Sequence, residues 1–173
     1  MIWMLLPLPF VRVTGIDLIR EKLAAWDQRV EVMAELGFGF ADLILAVPNC
    51  WVDVDTLDDL DAAAAAFRAR HGFRLRIATK YHRLVRDFLK QAGVADYQIV
   101  DSQGATEGTV KNETAEAIAD ITSSGETLRA NHLKILSDGL ILKSQACLLR
   151  ARGADVSADE GRDLADFLDK LGL

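Results

Sequence analysis

The stretch DITSSGETLRA, residues 120–130, sets an acid, a run of small hydroxyl-bearing residues and a glycine where an apolar segment, AEAIA, gives way to a short helical one. A turn of this kind can direct several backbone N–H groups at one anion. Ser123, Ser124, Gly125 and Thr127 would supply N–H and hydroxyl donors, each charge-assisted bond contributing roughly 1.5–3 kcal/mol. The carboxylates restrict which anion fits. A full negative charge about 4 Å from a phosphate costs roughly 4 kcal/mol at an effective dielectric of about 20, more than one good donor returns. Asp120 must therefore meet ligand hydroxyls or a metal ion, and Glu126 must point to solvent. A ribose phosphate satisfies both demands. The same spacing also suits a strand–turn–helix junction whose Ser and Thr side chains merely cap the helix, and spacing alone leaves both readings open.

Other clusters carry weaker chemistry. KYHRLVR sets Lys80, Arg83 and Arg86 at the start of a helix after a strand, where they face an anionic substrate or serve only as exposed helix charges. DVDTLDDLD gathers acids at 53, 55, 58, 59 and 61. It lacks the mid-loop glycine and the closing acid of a calcium-binding EF-hand, so a solvated loop and an acidic helix start fit it better. His71, His82 and His132 lack metal-ligand spacing, and no nucleophile elbow, Walker loop or dinucleotide fingerprint occurs.

The elements that must position the 120–127 loop follow from periodicity. Apolar runs of strand length alternate with helical ones, which predicts an α/β protein with a largely parallel sheet. Strands are expected near 11–14, 43–47, 74–78, 98–100, 117–121, 133–136 and 141–149. Helices are expected over TGIDLIREKLAAW with Asp17 in the first turn, over TLDDLDAAAAAFRARHG between Thr56 and Gly72, over KYHRLVRDFLKQAG ending at Gly93, and from about Ser157. In open α/β sheets ligands bind beyond the carboxyl ends of the strands, which singles out the irregular stretch GATEGTVKNETA and the loop after Ile121.

The 173 residues suffice for one domain or two small lobes. With 20 Lys and Arg against 26 Asp and Glu, the net charge of −6 offers no general attraction to nucleic acid or an anionic membrane. Any anion must be held locally. Cys50 and Cys147 form no CxxC pattern and are expected as buried thiols in a reducing cytoplasm. MIWMLLPLPF lacks a basic leader region and bilayer-spanning length, and Pro7 and Pro9 spoil it as a central strand; an irregular lead-in is expected.

The segments VTGIDLIREKL, ELGFGFADLILAVP, LRIATKYHRLVRDFL, SQGATEG, EAIADITSSGETLRANHLKIL and ACLLRAR occur in the same order as in the ATP phosphoribosyltransferase family, and the resemblance spans roughly residues 13 to 152. It implies a two-lobed fold like the type II periplasmic binding proteins, with the active site in the cleft. Residues 1–47 and 134–173 would build an incomplete first lobe, and residues 48–133 a second lobe carrying the phosphoribosyl loop. The implied reaction, the first step of histidine biosynthesis, joins N1 of ATP to phosphoribosyl pyrophosphate with Mg2+ and releases pyrophosphate.

The family's D-x-x-x-x-G-x-T motif falls on Asp120, Gly125 and Thr127. By resemblance, the backbone of Ser123, Ser124, Gly125, Glu126 and Thr127 wraps the 5′-phosphate, Asp120 holds the ribose hydroxyls, and Lys80, Tyr81 and Glu107 line the cleft. Metal ligands are not identified. Glu126 departs from the basic or neutral residue of many relatives. The single helix after ACLLRAR resembles the short form, which implies a regulatory subunit like histidyl-tRNA synthetase and a hetero-oligomer. Because only MIWMLLPLPFVR precedes Val13, an incomplete first sheet with poor stability or association is expected, and a catalytically inactive binding module is the alternative to the enzyme.

Overall fold

The computed structural model describes residues 11–172, so the expectation for MIWMLLPLPF lies outside the described residues. The elements are β1 (Val11–Gly15), α1 (Ile16–Lys22), α2 (Trp26–Arg29), β2 (Val30–Glu35), β3 (Ala41–Pro48), α3 (Leu57–His71), β4 (Leu75–Thr79), α4 (His82–Gln91), β5 (Tyr97–Asp101), α5 (Gly108–Lys111), β6 (Ala117–Thr122), α6 (Glu126–Ala130), β7 (Leu133–Ser144), β8 (Ala146–Ala151) and α7 (Ala158–Leu171). They form two compact units, residues 1–40 with 144–173 and residues 41–143. The units divide at 40/41 and 143/144, whereas the sequence reading put the boundaries at 47/48 and 133/134. Strands β3 and β7 thus belong with the loop-bearing unit.

The first unit holds a three-stranded sheet, β1-β8-β2, antiparallel throughout. Alternation along β8 sends Leu148 toward Val11 and Leu164 of α7, while Cys147 and Leu149 meet Ile16, Ile19 and Trp26 on the other face. Gly15 is required before α1, because a Cβ there would lie 2.3 Å from the Asp17 carboxylate, which accepts a 2.6 Å bond from the Ser144 hydroxyl.

Two expectations are corrected in this unit, and the one for the cysteines holds only here. The first helix stops at Lys22 instead of reaching Trp26: Leu23 is extended and Ala25 is left-handed, and this reversal lets α2 bring Trp26 onto the sheet. Strand β2 was not anticipated, because Glu31 and Glu35 break up its apolar residues and a register shift between Val32 and Ala34 disturbs its alternation. Burial holds for Cys147, whose pKa it pushes up, but Cys50, in the second unit, is exposed.

The second unit is a five-stranded sheet in the order β5-β4-β6-β3-β7. β4 runs parallel to β5 and β6, but β3 pairs antiparallel with β6, so this sheet is mixed rather than largely parallel. The run 43–47 is wholly buried, and such a run reports burial on both faces, not strand direction. β7 continues through Ser137–Asp138–Gly139, which the sequence suggested as a break. Those turn-forming residues serve α3 instead: Ser137 N–H donates to the Asp55 carbonyl at 2.8 Å, and the Asp138 carboxylate accepts from Leu57 N–H at 2.9 Å.

Candidate functional site

The parallel pairing of β4 with both neighbours puts the carboxyl ends of β4, β5 and β6 at one edge of the sheet. Buried hydroxyls tie these ends together. The Thr79 carbonyl accepts from Ser102 N–H at 3.1 Å, its hydroxyl accepts from Tyr81 N–H at 3.0 Å, and the Ser102 hydroxyl donates to Thr106 at 3.1 Å. Thr79, Ser102 and Thr106 are all buried, so the turn carrying Lys80 and the loop carrying Glu107 are held by satisfied polar groups.

Strand β6 runs past its last β4 pairing at Ile118 to Thr122. Over that extension β3 braces one side, with Ile44 opposite Asp120 and Asp42 opposite Thr122. On the other side Lys80 approaches Asp120, Nζ to Oδ1 3.7 Å, with both side chains partly buried. The Asp120 carboxylate also accepts from Ile121 N–H at 2.8 Å.

The loop then turns through Gly125, at φ +70 and ψ 5, into α6. Only a residue without Cβ takes this left-handed geometry at little cost, and a Cβ here would also lie 3.1 Å from Arg129 Nη1. The Gly125 amide donates to the Thr122 hydroxyl at 2.9 Å, and the Glu126 amide to the Ser124 hydroxyl at 3.3 Å. In front of the loop lies a pocket of about 250 Å³ whose wall includes Glu107, Asp120, Thr122, Ser123, Ser124 and Thr127.

Of the residues anticipated from sequence, Asp120, Ser123, Ser124, Thr127 and Glu107 line this pocket, and Lys80 reaches it through Asp120. Gly125 is buried in the turn, and the Glu126 side chain is exposed. Tyr81 is corrected: its side chain is 1 % exposed, so it forms part of the core, and the Lys80 ammonium lies 5.2 Å from its ring centroid. Arg86 does not join the site either; it lines a groove with Lys90, Gly93 and Tyr97, at the amino end of β5. Sequence reasoning missed Thr122, the Thr79–Ser102–Thr106 brace, and His82, whose Nε2 lies 2.9 Å from Asp101 and 3.1 Å from the Thr79 carbonyl. Small hydroxyl residues at three successive strand ends were the available signal.

The pocket wall carries two carboxylates, Asp120 and Glu107, and the Lys80 ammonium lies against the first of them. Among the described residues no group of three or more His, Cys, Asp or Glu is placed to hold a metal ion. Mg2+ needs no such cage. It keeps several waters and binds through one or two carboxylates plus substrate phosphates, a requirement the two pocket carboxylates fit. No helix among the described residues is long and apolar enough to cross a membrane.

The family model for ATP phosphoribosyltransferase matches residues 11–171. The chain belongs to the ATP phosphoribosyltransferase family. It is 77 % identical over 161 residues to the ATP phosphoribosyltransferase of Cereibacter sphaeroides, covering 93 % of this chain and 68 % of the relative. For the enzyme of Mesorhizobium japonicum the identity is 55 % over 160 residues, covering 92 % and 68 %. The ATP phosphoribosyltransferase relatives are thus longer than this chain. Among solved structures, the ATP phosphoribosyl transferase (HisG:HisZ) complex from Thermotoga maritima matches with a TM-score of 0.70 at 20 % identity, over 94 % of this chain and 67 % of that one. A periplasmic transporter matches at 0.55 and 12 % identity, over 93 % and 63 %. At these identities the structural matches establish the fold, which is the α/β architecture shared by ATP phosphoribosyltransferases and periplasmic-binding-protein-like domains.

Proposed function

We propose that the chain catalyses the first step of histidine biosynthesis, transfer of the phosphoribosyl group from phosphoribosyl pyrophosphate to N1 of ATP. The observation that carries the assignment to this site is the 120–127 loop in a chain of this family: it faces a pocket whose wall combines hydroxyl donors with one acid beside a lysine.

The 5′-phosphate sits against residues 123–127, where main-chain amides and the Ser123, Ser124 and Thr127 hydroxyls act as donors. Asp120 accepts from the ribose hydroxyls. Lys80 partly neutralises Asp120, which lowers the cost of a carboxylate so near the phosphate. N1 of adenine is a weak nucleophile and the protein forms no covalent bond, so alignment of N1 behind the anomeric carbon carries most of the catalysis. The bond from the anomeric carbon to the pyrophosphate oxygen breaks, a bond to N1 forms, and pyrophosphate leaves with the electron pair. Asp120 and Glu107 would hold Mg2+ carried on the diphosphate, directly or through its waters, and the ion would supply charge neutralisation for the leaving group.

The reading extends to a regulatory subunit, supported by the HisG:HisZ complex among the structural relatives. A reducing cytoplasm suits the two unpaired cysteines, one exposed and one buried. The test is to incubate the chain with ATP, phosphoribosyl pyrophosphate and Mg2+, alone and with a histidyl-tRNA-synthetase-like subunit, and to follow phosphoribosyl-ATP by absorbance. Product in either mixture is expected. Binding of phosphoribosyl pyrophosphate without turnover in both would replace the enzyme by a binding module.

A further inference from the structure

We infer that Arg129 is a positioning residue whose side chain aims the Gly125 main-chain amide of the phosphate loop into the pocket, beside the Glu126 amide that the helix backbone already fixes. The inference rests on the phosphoribosyl pyrophosphate reading of that pocket.

The geometry comes from two adjoining peptide planes. In a trans peptide the C=O and the N–H point in opposite directions, so fixing one fixes the other. The Arg129 side chain holds the carbonyl side of the first plane, and the helical main chain holds that of the second. The guanidinium Nη2 donates to the Ser124 carbonyl at 3.1 Å, and the Arg129 N–H donates to the Gly125 carbonyl at 3.0 Å. The N–H groups of the same two planes, those of Gly125 and Glu126, therefore point the other way, to the hydroxyls of Thr122 and Ser124. Both hydroxyl residues line the pocket, and Arg129 is not part of its wall. Arg129 is thus no direct phosphate ligand: it clamps the back of the turn, and the two hydroxyls occupy the places that phosphate oxygens would take in front. The space behind Gly125 is already filled by this arrangement, since a Cβ there would meet Arg129 Nη1 at 3.1 Å.

A second consequence is electrostatic. The guanidinium is a cation bonded to the carbonyl end of the Ser124–Gly125 peptide, which polarises that peptide and strengthens its N–H as a donor. It supplies positive charge close to a loop that also carries Glu126, without obstructing the pocket.

The experiment compares wild type, Arg129→Ala and Arg129→Lys in the full chain, with phosphoribosyl pyrophosphate and ATP affinities measured separately by calorimetry and kinetics. Arg129 is exposed, so folding should survive, and the thermal midpoint verifies it. Arg129→Ala should raise the Kd for phosphoribosyl pyrophosphate about tenfold, the size of one lost bond of this kind, with ATP affinity unchanged. Arg129→Lys, which keeps the charge and one donor, should recover part of the loss. Faster hydrogen exchange at the Gly125 amide of Arg129→Ala, with the Glu126 amide unchanged because its plane keeps the main-chain bond from residue 129, is the accompanying signature. Phosphoribosyl pyrophosphate affinity within twofold of wild type, or an equal loss for ATP, would overturn the inference while leaving the enzyme intact. Failure of the wild-type chain to bind phosphoribosyl pyrophosphate would overturn the functional reading and the inference together.

Discussion

Two helix starts in the same unit use similar residues to opposite ends. At the start of α3, Thr56 and Asp59 form a closed capping box: the Thr56 hydroxyl accepts from Asp59 N–H at 3.2 Å, and the Asp59 carboxylate accepts from Thr56 N–H at 2.9 Å and Asp55 N–H at 3.0 Å. Asp138 takes the Leu57 amide as well. This helix consumes its own orphan donors, as a terminus built for stability should. At the start of α6 the cap is Gly125, which has no side chain to fold back, and two of the amides rest on rotatable hydroxyls at the pocket wall. A hydroxyl is a weaker acceptor than a carboxylate or phosphate oxygen, so an entering oxyanion can displace it. The presence of Ser and Thr near a helix start therefore decides nothing; what decides is whether a carboxylate closes the box.

The largest effect expected from this contrast is at Asp120. Asp120→Asn keeps the shape but removes the charge, weakening bonds to two ribose hydroxyls by about 3 kcal/mol in total, or roughly a hundredfold in kcat/KM for phosphoribosyl pyrophosphate. Steady-state kinetics decide the sign. If the carboxylate instead faced the phosphate, removing its charge would tighten binding, and that result would invert the assignment of the loop.

Thr127→Ala should follow, with affinity for phosphoribosyl pyrophosphate about tenfold weaker for one lost donor. Thr127 lines the pocket and its carbonyl accepts from the Asn131 side-chain amide at 2.9 Å and from the Asn131 main-chain N–H at 3.2 Å; both bonds to the Thr127 carbonyl survive the substitution, so the loss should appear in binding and not in the thermal midpoint. An unchanged affinity would take this side chain out of the site.

How much of this was legible before the structure depends on what each residue does. The 120–127 loop could be singled out from its residue types, and the cost of a carboxylate beside a phosphate limits what Asp120 can face, but spacing left a plain helix cap open and only the resemblance to the family motif at Asp120, Gly125 and Thr127 favoured a cradle. The strand run 43–47 was legible from unbroken apolarity and 117–121 from apolarity interrupted only by Asp120, but their antiparallel pairing was not, since direction leaves no mark on burial. Ser137, Asp138 and Gly139 look like a turn and instead anchor α3 from within β7. Tyr81 follows a lysine that reaches the site, yet its ring is core, because Thr79 holds the turn so that alternate side chains face inward. Arg129 could not be assigned from sequence at all: its part depends on the left-handed turn that brings the Ser124 carbonyl within its reach.

On the other side of the contrast, Thr56→Ala should cost about 1 kcal/mol of stability, a drop in thermal midpoint of roughly 2–4 °C for a chain of this size. Phosphoribosyl pyrophosphate affinity should not move. A loss of affinity without loss of stability would mean the closed box at α3 also serves the ligand, and the distinction between the two helix starts would fail.

The smallest effect separates the two by pH. The closed boxes hold carboxylates: Asp59 lies below its ordinary value because the Asp55 amide, then the Thr56 side chain and amide, donate to it, and Glu160 of α7 is lowered by the Ser157 amide and hydroxyl. A depressed folded-state pKa means the stabilisation is fully present above the unfolded value and is lost as pH falls through the lower folded one. Neither group is buried, so the loss should be modest and local. Acidification from neutral pH to below the ordinary carboxylate range should shift the Ser157 and Thr56 amide resonances as the boxes open, with midpoints below the 4.5 and 3.8 of free Glu and Asp. Glu160→Gln should abolish the titration at Ser157 and leave that at Thr56. The Gly125 amide is held by a hydroxyl with no proton to gain in this range, and its resonance should stay level through the Glu160 transition; a Gly125 step at the Ser157 midpoint would show that the α6 terminus is closed by a carboxylate after all.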